Sequence, residues 1–448
     1  MWNIRSIKQI DANDIKGRTQ PRLSCFFVSC LFVLMGTCSA LSQSERKNER
    51  GLNELNAENM TLITDLEFDE ELRAWPLYLS QSMRQWKEIF RPPDIKLQGL
   101  KPIVYLVGNK QQWYQQGWLN ELPGLEDGYQ YGDRLYIVEQ PSVYYRRLLF
   151  LHEATHWIMS RWQGGAGAPW IMEGMADYLG THRFLNETIE LGWMPQSVEQ
   201  VPKWGRLRLI QETIRSRTSP KLSEIFAFRE MRTQRMERYS WSWAACTFFA
   251  THPELKQDFQ AIYRGPLDYS LQSSQQLYET LRSRWDGLSV QWRAFVDDLD
   301  FGMDCSRSAL ELRGNDFRDL GSNEKISIRI QADRGWQSTG ILVSKDTQIR
   351  IRSHGSFIVR KGGEADPWIS ESQGITVQYY RHHPLGCLVA AFAEIDGEQP
   401  SMEFERIRVG KESMLQARNK SLLLLRINES SDGLQDNVGE LAVEISSD

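Results

Sequence analysis

Histidine and cysteine are scarce in this chain, and net charge is small. The 448 residues contain seven histidines and six cysteines, and the formal charge is only −5. A balance that close to neutral, with short basic runs offset by acids, gives no nucleic-acid signal, and neither a DNA-binding face nor an acidic tail is expected. Cys25, Cys30 and Cys38 lie near the amino terminus, which leaves Cys246, Cys305 and Cys387 for the body of the chain. Three cysteines permit at most one disulfide within a monomer, so no cysteine framework holds the fold. The apolar stretch Leu23 to Met35 is short for a membrane-spanning helix.

That stretch reads instead as part of an export signal over residues 1–40. Arg5, Lys8, Lys16, Arg18 and Arg22 precede it, and Cys38-Ser39-Ala40 supplies small residues for cleavage. The expected location is periplasmic, cell-surface or secreted; left uncleaved, the same segment would anchor the protein to a membrane. Residues 41–60 are polar, with Glu45-Arg46-Lys47-Asn48-Glu49-Arg50 at their centre, and are expected to be a flexible linker, with order beginning near Leu62. The chain as a whole has ordinary globular composition, 41% hydrophobic and 25% charged, and its 448 residues suit two or three domains. The sixteen tryptophans lack regular spacing and point mainly to core packing.

Two of the few histidines fall in His152-Glu153-Ala154-Thr155-His156. On a helix the i, i+4 spacing puts both imidazoles on one face, one turn apart, as two ligands of a tetrahedral Zn²⁺ must be. Glu153 lies beside them, placed for acid/base work on a metal-bound water. The apolar flanks Leu148 to Leu151 and Trp157-Ile158 predict a buried helix over about 142–162, broken by Gly164-Gly165-Ala166-Gly167-Ala168-Pro169. Pro169 suits the first turn of a second helix, on which Glu173 and Asp177 are spaced i, i+4. A catalytic zinc site keeps three protein ligands, and Glu173 is the expected third. Asp177 is placed to accept the free N–H of a ligand imidazole; the plainer alternative is a carboxylate on the helix surface.

Together with Trp170-Ile171-Met172-Glu173-Gly174-Met175-Ala176-Asp177-Tyr178, these residues resemble the gluzincin zinc peptidases, in particular the bacterial peptidase MA-like group. The preceding elements agree: Ile103 to Val107 as a strand, Gln111 to Gln116 as a helix, and Arg134 to Val138 as a hairpin strand introduced by Gly132-Asp133. The resemblance implies an α+β zincin-like catalytic domain over 61–303, with a mixed sheet, active-site helices and a helical carboxyl-terminal part. It further implies that His152, His156 and Glu173 bind zinc, that Glu153 is the base and that Asp177 supports a ligand. Tyr239, in Tyr239-Ser240-Trp241-Ser242-Trp243, resembles the family's Tyr-x-x-x-Trp element and would donate to the oxyanion; a tyrosine buried by its ring is the alternative. His182 reads as a helix-end residue. The substrate would be a protein or peptide, and the absence of a Gly-Ala-Met-Glu-Asn motif favours an endopeptidase.

Beyond Asp304 helical periodicity gives way to short alternating runs such as Ile326 to Ile330 and Gln348 to Arg352. A linker over 304–321 and an all-β sandwich over 322–448 are expected, so the chain as a whole reads as multidomain. Trp336 to Ile341, Gly386 to Val389, and Leu423 to Glu429 followed by Asp436-Asn437-Val438-Gly439 resemble the PA-I galactophilic lectin fold. That resemblance implies a Ca²⁺ site with side-chain oxygens from Glu429, Asp436 and Asn437 and backbone carbonyls from Gly433 and Val359. It also implies a glycan or cell-surface partner. Glu429 stands where the family has an aspartate, and His383-Pro384 matches the family's sugar-contacting segment in two residues only. Two readings of different class follow: an exported zinc peptidase carrying an accessory lectin-like domain, or a catalytically inactive extracellular binding protein that uses that domain.

Overall fold

The computed structural model describes residues 43–122, 124–231, 235–312, 317–361, 366–395 and 404–447. The expected export signal over 1–40 lies outside them. No helix among the described residues is long and apolar enough to cross a membrane.

The chain begins with β1 (Gln43–Lys47), β2 (Asn53–Ala57) and β3 (Thr61–Thr64), which pair antiparallel in succession. Helix α1 (Glu70–Phe90) is capped by Asp69, whose carboxylate accepts from the Leu72 N–H at 2.7 Å, and buries Leu72, Trp75, Leu79, Trp86 and Phe90. It returns the chain so that β4 (Ile103–Val107) lies parallel to β3. After α2 (Lys110–Gln115), the hairpin of β5 (Gly128–Tyr131) and β6 (Arg134–Val138) turns at Gly132-Asp133, where Gly132 has φ 59°. Strand β6 joins β4 in parallel, giving the sheet order β1-β2-β3-β4-β6-β5, with β5 as an outer edge.

Part of the linker expected over 41–60 is therefore incorrect. Every residue of β1 is exposed, which reads in sequence as flexibility, but β2 carries Leu55 and Ala57 into the core. The charges of the hairpin are matched locally, Arg46 with Glu54 at 2.7 Å and Glu45 with Arg73 of α1 at 2.7 Å.

Helix α3 (Val143–Gln163) starts at Ser142, whose hydroxyl accepts from the Tyr145 N–H, and ends at Gly164 with φ 87°. Pro169 opens α4 (Pro169–Gly180). A hairpin of β7 (His182–Leu185) and β8 (Thr188–Leu191) follows, then α5 (Arg206–Ser216), α6 (Leu222–Phe226), α7 (Arg235–Thr251), α8 (Lys256–Arg264), α9 (Gln272–Leu281) and α10 (Trp285–Asp298). One core joins the sheet to these helices. Trp75 stacks on Phe150 at 4.5 Å, and Trp170 of α4 stacks between Phe226 and Phe259, at 4.8 and 6.0 Å.

The carboxyl-terminal part is rich in strands. It comprises α11 (Cys305–Ser308), β9 (Arg318–Asp319), β10 (Lys325–Gln331), β11 (Gln337–Val343), β12 (Gln348–His354), β13 (Ser356–Arg360), β14 (Trp368–Glu371), β15 (Gln373–Tyr380), β16 (His383–Glu394), β17 (Ile407–Arg408), β18 (Glu412–Gln416), β19 (Ser421–Ile427) and β20 (Glu440–Ser447). One sheet runs β10-β20-β12-β18 and another β15-β16-β19-β11-β9, with β17 beside β16. The stretch 304–321 is no free tether, because it contains α11 and its Arg318 and Asp319 pair with β11.

Alternation along β19 explains its unbroken apolar run. Leu423, Leu425 and Ile427 enter the core shared with Ile349, Ile351 and Val443 of the facing sheet. Leu422 and Leu424 point the other way, with Val389 and Ala391 of β16, onto Val290 and Ala294 of α10. A strand covered on both faces cannot alternate apolar with polar. The described residues accordingly fall in one compact unit, Leu41–Asp448.

The interface also buries charge. α10 ends in Asp297 and Asp298, 2% and 1% exposed. Carboxylates at a helix carboxyl end oppose the helix dipole, so they need cations nearby. Asp297 receives Arg381 Nη1 and Arg406 Nη2, each at 2.7 Å, and the Trp336 indole N–H at 2.9 Å. Burial would raise its carboxyl, but the guanidiniums of Arg406 and Arg381 outweigh that and hold it below its usual range. Asp298 receives the fully buried Arg426 at 2.5 Å, and Arg426 also donates to the Glu429 carbonyl at 2.8 Å. All three remaining cysteines, Cys246, Cys305 and Cys387, are free thiols.

Candidate metal centre

Helices α3 and α4 pack closely enough to bring their polar residues to one point. His152 Nε2 and His156 Nε2 are 3.1 Å apart, and Glu173 Oε2 lies 3.2 Å from the first and 3.3 Å from the second. This buried group of donors can hold a metal ion. The approach of α4 to α7 depends on Gly174, where a methyl group would fall 2.4 Å from the Ser242 carbonyl oxygen and 2.6 Å from Cys246 Sγ. The helix that carries the expected third ligand is thus seated against α7 by close backbone packing.

Asp177 lies buried behind the donors, one turn after Glu173. Its Oδ1 is 3.0 Å from His152 Nδ1, and its Oδ2 receives Arg206 Nε of α5 at 2.7 Å. Burial would lower the basicity of His152, but the carboxylates of Asp177 and Glu173 outweigh it and raise its pKa to about 10. Asp177 and Glu173 are themselves held below the usual carboxylate range, burial being outweighed for Asp177 by Arg206 and His152 and for Glu173 by His156 and His152.

Glu153 follows His152 and is 5% exposed. Burial raises its carboxyl, with the neighbouring imidazoles opposing. It lies against β5, where a methyl group built on Gly128 would meet its Oε1 at 2.4 Å. Tyr239 of α7 completes this side of the cleft. Its ring stacks near that of His152 at 6.2 Å, and the Arg206 guanidinium lies 5.4 Å from its centre. The cleft has a volume of about 650 Å³ and is walled by β5, α3, α4, Arg206, Met236, Tyr239 and Tyr269. Among the described residues, the strand-rich carboxyl-terminal part contributes none to this lining.

Arg206 and Gly128 are the site residues that sequence reasoning missed. Each comes from an element with no motif of its own, and only the fold brings them to α3. His182, by contrast, is buried between the Tyr144 ring at 4.6 Å and Arg147, and desolvation lowers its pKa to about 3. It is a neutral packing residue.

In the carboxyl-terminal part, Glu429, Gly433 and Asp436 line a second pocket, with Arg360 and Asp432. Asn437 donates to Glu429 Oε2 at 3.3 Å, and its own Oδ1 is buried without a hydrogen-bond partner. Val359 precedes Arg360 on β13, within the core. Asn428, the first residue of a glycosylation-type triplet, is fully buried and donates to the carbonyls of Tyr380 and His383. His383 and Pro384 open β16, where His383 Nε2 is 3.1 Å from the Arg406 carbonyl.

No protein-family model matches the sequence, and no curated protein does. Among solved structures, one neighbour is described as the EclA N-terminal domain, a PllA-like lectin, with TM-score 0.21 and 20% identity, covering 27% of this chain and 95% of that one. Another is the IMPa metallopeptidase from Pseudomonas aeruginosa, with TM-score 0.17 and 11% identity, covering 77% of this chain and 37% of that one. The chain thus spans well under half of the latter's length. At scores this low the likeness carries no argument about function, which rests on the site.

Proposed function

We propose that the protein is a zinc peptidase of gluzincin type, with His152, His156 and Glu173 as ligands and Glu153 as general base. The observation that carries this reading is the donor triangle. Donors held about 2.0–2.1 Å from a tetrahedral ion are separated by roughly 3.3–3.4 Å, close to the 3.1, 3.2 and 3.3 Å found. Glu173 Oε2 is also buried without a well-formed hydrogen bond, as suits a donor arranged about a shared ion. Bound zinc would supply Lewis acidity to the scissile carbonyl and acidify water.

The chain's own residues do the rest. Glu153 takes the proton of the attacking water and returns it to the leaving amine, a role favoured by a carboxyl whose affinity for protons is raised by burial. Asp177 fixes the tautomer of His152 through Nδ1, and Arg206 holds Asp177 in place. The Tyr239 phenol is the candidate donor to the developing oxyanion. The outer edge of β5 offers backbone groups to an extended polypeptide, which favours an endopeptidase. In this reading the zincin-like catalytic part expected over 61–303 extends back through β2 and β1, which belong to its sheet, and residues 1–40 export the protein or, uncleaved, anchor it.

The test is metal content by mass spectrometry together with casein cleavage on the purified protein, before and after chelation. One zinc per chain, with cleavage lost on chelation and restored by zinc, is the expected result. Failure to take up zinc on reconstitution would sink the reading in favour of an extracellular binding protein.

For the strand-rich part we propose a lectin-like accessory role, with Ca²⁺ held by Glu429, Asp436 and Asn437 and the carbonyls of Gly433 and Val359, and a glycan or cell-surface component as partner. The specific observation is Glu429, which is 3% exposed and whose pKa burial raises to about 7. A carboxyl raised in the folded state contributes stability that is complete below its ordinary value near 4.5 and is lost as pH rises through 7. Without calcium the unfolding free energy from urea titration should therefore fall between pH 5 and pH 8, by an amount on the order of 2–3 kcal/mol. Calcium should remove most of that fall, and Glu429→Gln should abolish it. A Glu429→Gln variant with the wild-type pH dependence would rule Glu429 out as its source.

A further inference from the structure

We propose that Gly128 is a positioning residue for Glu153: the side chain missing from edge strand β5 is the space in which the base's carboxylate lies. This rests on the reading of Glu153 as the base.

Gly128 pairs with Ile137 in ordinary hairpin register, and its φ is not in the left-handed region, so its backbone would accept any residue. Turn geometry therefore does not explain a glycine there. The space above it does. A Cβ at Gly128 would lie 2.4 Å from Glu153 Oε1, 3.0 Å from Cδ and 3.1 Å from Cγ, so the whole outer half of the base is in its path. At Gly174 and Gly165 the obstructing atoms include backbone carbonyls, which cannot move without moving a helix or a loop. At Gly128 the obstruction is the flexible end of one side chain. An added methyl group would leave the fold intact and displace the carboxylate.

The direction of that displacement matters. Glu153 is enclosed by α3 on one side and β5 on the other, with the ligand imidazoles of His152 and His156 close enough to influence its charge. A carboxylate pushed off the strand must rotate into the cleft or towards those ligands. A misplacement of about 1 Å in a catalytic group can cost roughly 100-fold in rate.

The experiment is a double-mutant cycle on the full-length protein, combining Gly128→Ala with Glu153→Asp and reading kcat, KM, zinc content and melting temperature. Gly128→Ala alone should keep one zinc per chain and its melting temperature, leave KM within about threefold, and lower kcat roughly 100-fold. Aspartate is one methylene shorter and withdraws the oxygen that makes the 2.4 Å contact, so in the Glu153→Asp background the same methyl group should cost less than about threefold. An equal loss in both backgrounds, or an unchanged kcat in the single variant, would overturn the proposal. Should Gly128→Ala fail to fold alone, restoration of folding by Glu153→Asp supports the contact, and continued failure overturns it. Wild-type cleavage by Glu153→Gln would instead remove the underlying reading of Glu153, a result distinct from any in the cycle.

Discussion

Glu153→Gln is expected to lower peptide cleavage by roughly 10³- to 10⁴-fold while leaving one zinc per chain, because glutamine fills the same space but cannot take a proton. The metal should stay because Glu153 is not one of the converging donors, which are His152, His156 and Glu173. The substitution also replaces a buried carboxyl, whose charged form burial disfavours, by a neutral amide. The melting temperature should accordingly hold or rise. The rate therefore falls while stability does not, a pattern that damage to the fold cannot produce. Casein cleavage, zinc analysis and a thermal melt on one preparation decide it. Cleavage at the wild-type rate would remove Glu153 from the chemistry.

The second large effect lies far from the cleft in sequence and concerns stability. Asp298→Ala leaves the Arg426 guanidinium, with no exposed surface, without its carboxylate partner. Breaking a buried pair in this way costs about 3–5 kcal/mol, whereas replacing both members by apolar groups of similar volume costs far less. Asp298→Ala should therefore lower the denaturant midpoint substantially, and adding Arg426→Met should recover most of the loss. Arg426 also holds the Glu429 carbonyl, so the single variant should loosen the loop that carries the second pocket. A double variant no more stable than Asp298→Ala alone would mean that the charge pair is not what the site depends on.

The legible and illegible parts of the fold differ in how far apart in the chain their causes lie. The donors were legible because His152 and His156 are one turn apart and Glu173 follows on the next helix, where a proline and a glycine-rich break mark the boundary. The β5–β6 hairpin was legible from Gly132-Asp133. β1 and β2 were misread because their charges satisfy one another across the hairpin and with α1, which composition alone reports as polarity. Leu422 to Ile427 was recognisable as a strand. Its second buried face was not, since the residues that cover it, Val290 and Ala294, belong to a helix more than a hundred residues earlier. Asp297 and Asp298 carry no sign of their burial in the sequence for the same reason, since Arg381, Arg406 and Arg426 reach them from far along the chain. Arg206 reaches Asp177 from α5, and Gly128 gives way to Glu153 from the sheet edge; neither residue type signals such a role until the fold sets its neighbour.

The interlock between α10 and β16–β19 has a bearing on how the protein would meet a large substrate. A module on a flexible tether raises the local concentration of anything it captures over every distance the tether can span. Here leucines, an indole and buried ion pairs clamp the strand-rich part to the helix, so under the proposed lectin-like role a captured group would be carried at one offset and one orientation from the cleft that holds His152, His156 and Glu173. Such an arrangement would work as a gauge. A substrate whose grip point and scissile bond matched that span would gain from holding both at once, and one with any other spacing would gain nothing.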